Sequence, residues 1–200
     1  MVNDRFQSHW SGWWKEGNRV ASGRILSCDA AQIYGFGRDK YPGGNTGQWR
    51  GGEKYQLLAY DRGEEPPREV IDRRGKKTKT PVQTTNRYRW TSDVPLLATA
   101  LVATPDAVFI AGPPDGFTAL GDGESALELK DVKAAYAGWK GEDGGIVYAA
   151  ATTDGKQLAK IKIPSPTVFD GMAAADGCLF LSLQDGSVIC LGHDKSPHGG

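Results

Sequence analysis

Asp170 and Asp185 stand at the ends of short apolar runs, where a carboxylate could serve as a base or as a hard ligand to Ca²⁺. Aspartate at such positions also turns or caps the backbone, and no catalytic set assembles around either one. His9, His193 and His198 lack metal-site spacing, and a zinc site needs about four convergent nitrogen or sulfur ligands. No CxxC or HxxxH pair occurs, and no Gly-x-Ser-x-Gly elbow presents a serine nucleophile. The glycine-rich stretch from Gly43 to Gly47 lacks the Lys-Ser/Thr ending of a phosphate loop and reads as a flexible turn. No residue is assigned to catalysis or to a metal, and the cofactor-binding residues stay undefined.

Three side-chain groups have a binding or redox alternative. Cys28, Cys178 and Cys190 leave at least one thiol unpaired. A two-residue turn at Asp185 and Gly186 would set Cys190 opposite Leu181, on the other face from Cys178, so the pair is expected to be unbridged and buried. The run Arg73, Arg74, Lys76, Lys77 and Lys79 could touch an anionic partner, or form a solvated loop balanced by Glu64, Glu65 and Glu69. Trp13, Trp14, Tyr34, Tyr41 and Trp49 could form a platform for stacking sugars, or pack between sheets.

The elements that must position these groups are short strands. Of 200 residues, 27 are Gly and 11 Pro, which favours many turns over long helices. Lys plus Arg equals Asp plus Glu at 24 each, so no global field recruits nucleic acid, and no nucleic-acid partner is expected. No apolar stretch approaches the roughly 18 residues of a membrane span. The N-terminus lacks the basic-then-apolar layout of a secretory signal.

Three strand groups repeat along the chain. The first has strands at 23–28, 32–37, 55–61 and 88–90, and the second at 98–103, 107–112, 146–150 and 158–163. The third has strands at 168–174, 178–183 and 187–191 and no fourth. Polar inserts interrupt the pattern at 62–87 and 113–145, the latter with a short helix near 124–137 lined by Leu127, Leu129, Val132 and Tyr136. An aromatic-rich segment, 1–22, precedes the repeats, and a flexible tail, 193–200, follows them.

The tract from Asp154, Gly155 and Lys156 through Val168, Phe169, Asp170, Gly171 and Met172 to Gly192 resembles the pyrroloquinoline-quinone-like (PQQ-like) β-propeller repeat family. Trp10–Trp14 with Gly23–Leu26, Trp90 with Val94–Leu97, and Phe109–Asp115 are similar to other segments of that family. The family signature, Ala-x-Asp-x-x-Thr-Gly-Lys-x-x-Trp, ties the third strand of a blade to the fourth and sets a tryptophan against the next blade. Here Ala59-x-Asp61 meets its tryptophan, Trp90, only after an insert. The second copy keeps Ala149, Gly155 and Lys156, but has Ala151 for Asp, Asp154 for Thr and Ala159 for Trp.

The resemblance implies an all-β fold, a partial β-propeller of about three four-stranded antiparallel blades over 23–192, the last lacking its fourth strand. Three blades cannot close a ring, so the chain is expected to be the C-terminal portion of a large, exported bacterial member, periplasmic or extracellular, whose remaining blades complete the propeller. The expected function is a noncatalytic scaffold binding protein or carbohydrate through its loops, with no cofactor. The alternatives are a fragment of a quinoprotein dehydrogenase, holding PQQ with calcium, and an outer-membrane assembly-type propeller scaffold.

Overall fold

Strands form where apolar, β-branched and aromatic residues run between turn residues. A computed structural model describes them over residues 23–38, 55–62, 68–71, 75–80, 88–119, 127–129 and 131–192. In chain order they are β1 (Ile25–Cys28), β2 (Gln32–Arg38), β3 (Tyr55–Asp61), β4 (Arg68–Ile71), β5 (Lys77–Thr80), β6 (Tyr88–Ser92), β7 (Ala100–Ala103) and β8 (Ala107–Gly112). There follow β9 (Phe117–Ala119), β10 (Leu127–Leu129), the helix α1 (Val132–Trp139), β11 (Gly145–Ala151), β12 (Gln157–Ile163), β13 (Thr167–Ala175), β14 (Cys178–Leu183) and β15 (Val188–Gly192).

These strands build three antiparallel sheets, ordered β1-β2-β3-β6, β12-β11-β8-β7 and β13-β14-β15. The repeats expected from the sequence thus correspond to sheets of four, four and three strands. Two-stranded hairpins, β4-β5 and β9-β10, occupy the two inserts. Part of the 62–87 insert is therefore strand rather than loop, with Glu69 in register with Lys79 and Ile71 with Lys77. Arg73 and Arg74 of the basic run lie outside the described residues.

The sheets stack face to face, with the second in the middle. Alternate residues of β8 and β11 serve its two faces: Val108, Ile110, Ile146 and Tyr148 pack against Tyr34, Phe36, Leu57 and Trp90 of the first sheet. Ala111 and Val147 face the other way, onto Leu179, Leu181 and Leu183 of the third. Burial on both faces explains why β8 and β11 read as unbroken apolar runs, while β14 alternates buried leucines with outward Cys178, Phe180 and Ser182. The first strands of the sheets lie side by side, β1 against β7 and β7 against β13.

Polar contacts lock this stack at two points. Trp90, in the outer strand β6, donates its indole N–H to the Thr152 carbonyl at 2.8 Å. Its ring lies on Gly155, whose φ of +72° and missing side chain leave the space the indole fills. At the inner strands, the Thr99 hydroxyl lies 2.7 Å from that of fully buried Thr167. The Asp170 amide then donates to the Thr99 carbonyl at 2.8 Å.

Candidate binding site

The second insert carries the largest departure from the sequence expectation. The helix expected over 124–137 instead spans Val132–Trp139, because Asp131 is its N-cap and accepts from the Lys133 and Ala134 amides. Leu127 and Leu129 belong to β10, in register with Ala119 and Phe117, so they do not line the helix. The alternation Leu127-Glu128-Leu129 has strand period, which is the signal that separates the two elements.

α1 is amphipathic in the reverse of the usual sense. Its inward residues are small: Gly138 is buried, and Ala135 lies close enough to Gly116 that a side chain there would sit 3.3 Å from the Ala135 methyl. Its large apolar residues, Val132, Tyr136 and Trp139, recur at i, i+4 and i+7 and face solvent, 69%, 54% and 69% exposed. A helix packed only for stability would bury that stripe, so its exposure makes α1 the candidate contact surface.

The Tyr136 and Trp139 rings are stacked, their planes 27° apart and their centroids separated by 6.1 Å. The Lys140 ammonium sits over the Tyr136 ring, 4.6 Å from its centre, in a cation–π contact. Beside the rings a cavity of about 500 Å³ opens between α1 and the segment from Pro113 to Gly116. Asp115, Asp131 and Asp143 stand on its wall among otherwise apolar residues. An apolar recess with a few polar acceptors is the usual composition of a small-ligand site.

The wall opposite the helix is held by continuation of the β7-β8 ladder. Leu97 donates its amide to the Pro113 carbonyl at 3.0 Å, Asp115 donates to Pro95 at 3.1 Å, and Leu96 bridges Pro114. Gly112 permits this closure, since any side chain there would run into the Leu97 carbonyl. The site therefore rests on the middle sheet.

The residues singled out in the sequence fall elsewhere. Tyr34 is a core residue, 1% exposed, with its hydroxyl 3.3 Å from the Asp29 carboxylate. Burial first, then the neighbouring Asp29 charge, pushes its phenol above the ordinary tyrosine range. Trp13, Trp14, Tyr41, Trp49, His9, His193 and His198 lie outside the described residues. Asp185 caps the β14-β15 turn, accepting from the Ser187 hydroxyl at 2.6 Å and its amide at 2.9 Å, and those bonds hold its carboxyl below the usual range. Asp170 is not at a strand end: it lies within β13 at φ +56°, in the bulge between Thr167 and Met172.

The cysteines correct a further expectation. Leu183 receives the Gly186 amide and donates to Ser187, so the β14-β15 loop has three residues, with Gly186 at φ +86°. The added residue shifts the register by one: Phe180 faces Cys190, and Cys178 faces Gly192. Cys178 and Cys190 thus share one face, and neither Cys28 nor Cys190 is buried.

Asp61 of β3 pairs with Arg89 of β6 at 3.0 Å, tying the third strand of the first sheet to its fourth. Both side chains are exposed, so the pair adds little stability. Among the described residues no helix is long and apolar enough to cross a membrane, and no three His, Cys, Asp or Glu side chains cluster as a metal site would. No family model, curated protein or solved structure matches the chain.

Proposed function

We propose that the chain is a noncatalytic carbohydrate-binding scaffold: a propeller-type stack of PQQ-like repeats presenting a sugar platform on the insert between β8 and β11. The outward stripe of α1 carries this reading. The two exposed, stacked rings leave apolar ring surface of the kind on which the C–H face of a pyranose stacks. The carboxylates beside them can accept hydrogen bonds from sugar hydroxyls. Asp131 and Asp143 on the cavity wall favour neutral or amino sugars over uronic acids, because a like charge brought to them is repelled.

The propeller reading draws on the side-by-side first strands of the three sheets and on Trp90, which spans from one sheet to the next. In such an architecture long inserts between strands carry the binding residues while the sheets hold them rigid.

Titration with cello-, chito- and galacturono-oligosaccharides, followed by tryptophan fluorescence and calorimetry, tests this function. Saturable binding of a neutral or amino oligomer is expected, weakened at least tenfold by W139A or Y136A. Both side chains are exposed, so neither change should lower the unfolding midpoint. No saturation with any oligomer, or equal affinity in W139A, would overturn the reading.

A further inference from the structure

Cys178 and Cys190 are neighbours by virtue of the three-residue loop that joins their strands. On β14 the buried residues are Leu179, Leu181 and Leu183, so Cys178 and Phe180 project from the outer face. Cys190 stands opposite Phe180, one diagonal step from Cys178, on the strand at the edge of the sheet. Gly192, directly opposite Cys178, has no side chain, and a Cβ there would lie only 2.8 Å from the Cys178 sulfur. The Cys178 thiol therefore occupies the gap over Gly192, beside the next outward residue of β15, which is Cys190. Both are free thiols, the first half-buried and the second exposed. Burial first, and then the neighbouring Cys178 thiol, push the Cys190 thiol above its ordinary range.

We propose that Cys178 and Cys190 form a two-thiolate site for a soft monovalent metal ion, with copper(I) as the type. Geometry disfavours a disulfide: diagonal cross-strand partners stand about 7–8 Å apart, beyond the reach of an S–S bond without backbone movement. A metal relaxes that demand, since two bonds of about 2.3 Å, the zinc–thiolate length, would let one ion span sulfurs up to about 4.6 Å apart. Zinc itself wants four ligands, and the described residues bring no third His, Cys, Asp or Glu to the pair. Thiolates select soft ions, and two suffice for linear copper(I). The step is a ligand exchange with no redox change: two S–H bonds break, two S–Cu bonds form, and two protons leave to solvent. The site goes from neutral thiols plus a cation to a complex of charge −1. A cation between the sulfurs offsets the mutual repulsion that opposes ionising both, so affinity rises with pH.

The test is an anaerobic titration of the reduced chain with copper(I) held by a chromogenic chelator, reading ion transfer to the protein. One ion per chain is expected, more tightly held as pH rises, with at least tenfold weaker competition in both C178S and C190S. C28S, which alters the thiol of β1 in a different sheet, should compete like the parent. G192A should weaken binding without removing a ligand, because its methyl group takes the space of the Cys178 sulfur. Equal competition by either serine variant would overturn the proposal, and so would loss of binding in C28S. A parent chain whose mass falls by two hydrogens under mild glutathione oxidation, through a Cys178–Cys190 bond, would overturn it as well.

Discussion

At the residue scale, Trp90 shows how one side chain can join two sheets. Its ring closes on Gly155 and its indole N–H satisfies the Thr152 carbonyl, so truncation removes both packing and a donor. W90A should lose about 3–5 kcal/mol in urea unfolding, the range for large aromatics cut from a core. W90F should keep most of the packing and lose about 1 kcal/mol for the hydrogen bond. Gly155 and Gly177 have similar positive φ, +72° and +75°, but only Gly155 faces a neighbour. G177A should therefore cost about 1–2 kcal/mol for left-handed backbone alone, and G155A clearly more. Asp29 and Asp185 extend the argument to pH. Backbone amides of Ala31 and Gln32 hold the first carboxyl low, and the Ser187 hydroxyl and amide hold the second. A depressed folded pKa means the unfolded chain binds protons first on acidification. The stability from these groups is present above the unfolded value of about 3.9 and is lost as pH falls through the lower folded values. D29N and D185N should each flatten the acid limb of a stability-versus-pH curve measured by urea unfolding.

At the element scale, caps and loop lengths decide where side chains go. Asp131 fixes the start of α1, the helix that carries Tyr136 and Trp139. D131A should cost about 1 kcal/mol of local helix stability, seen as faster amide exchange confined to 132–139, with weaker oligosaccharide binding. The β14-β15 loop controls a whole strand. Deleting Ser187 while the three-residue loop is kept sets Val188 against Leu183 and moves the register by one. Either β15 then turns Ile189 and Leu191 outward, or the hairpin unpairs. The deletion should both lower the unfolding midpoint and abolish copper(I) competition.

At the scale of the whole molecule, the middle sheet supplies an apolar layer to each neighbour, which couples the three into one unit. Phe36 lies in the first interface and Leu181 in the second, both fully buried. F36A should cost about 3–5 kcal/mol and L181A about 2–5 kcal/mol, each moving one common unfolding transition seen by circular dichroism and by tryptophan fluorescence. Two separate transitions would show that the interfaces are not coupled through β8 and β11.

The sequence by itself determined the strands of the three sheets, because period and turn chemistry are local: apolar runs in β8 and β11, alternation in β14, and glycine or aspartate at each reversal. It did not determine the boundary of α1, where the Asp131 cap and the pairing of β10 with β9 compete for the same residues. Nor did it determine which of its aromatics are exposed. Tyr34 and Tyr136 are alike in type, but one lies between sheets and the other on a helix that turns its small residues inward. The pairing of Cys178 with Cys190 turned on one residue of loop length, which fixes the face of every side chain beyond it. Strands follow from nearest neighbours in the chain, whereas a binding surface follows from which faces the packed sheets leave open, and that only the tertiary structure decided.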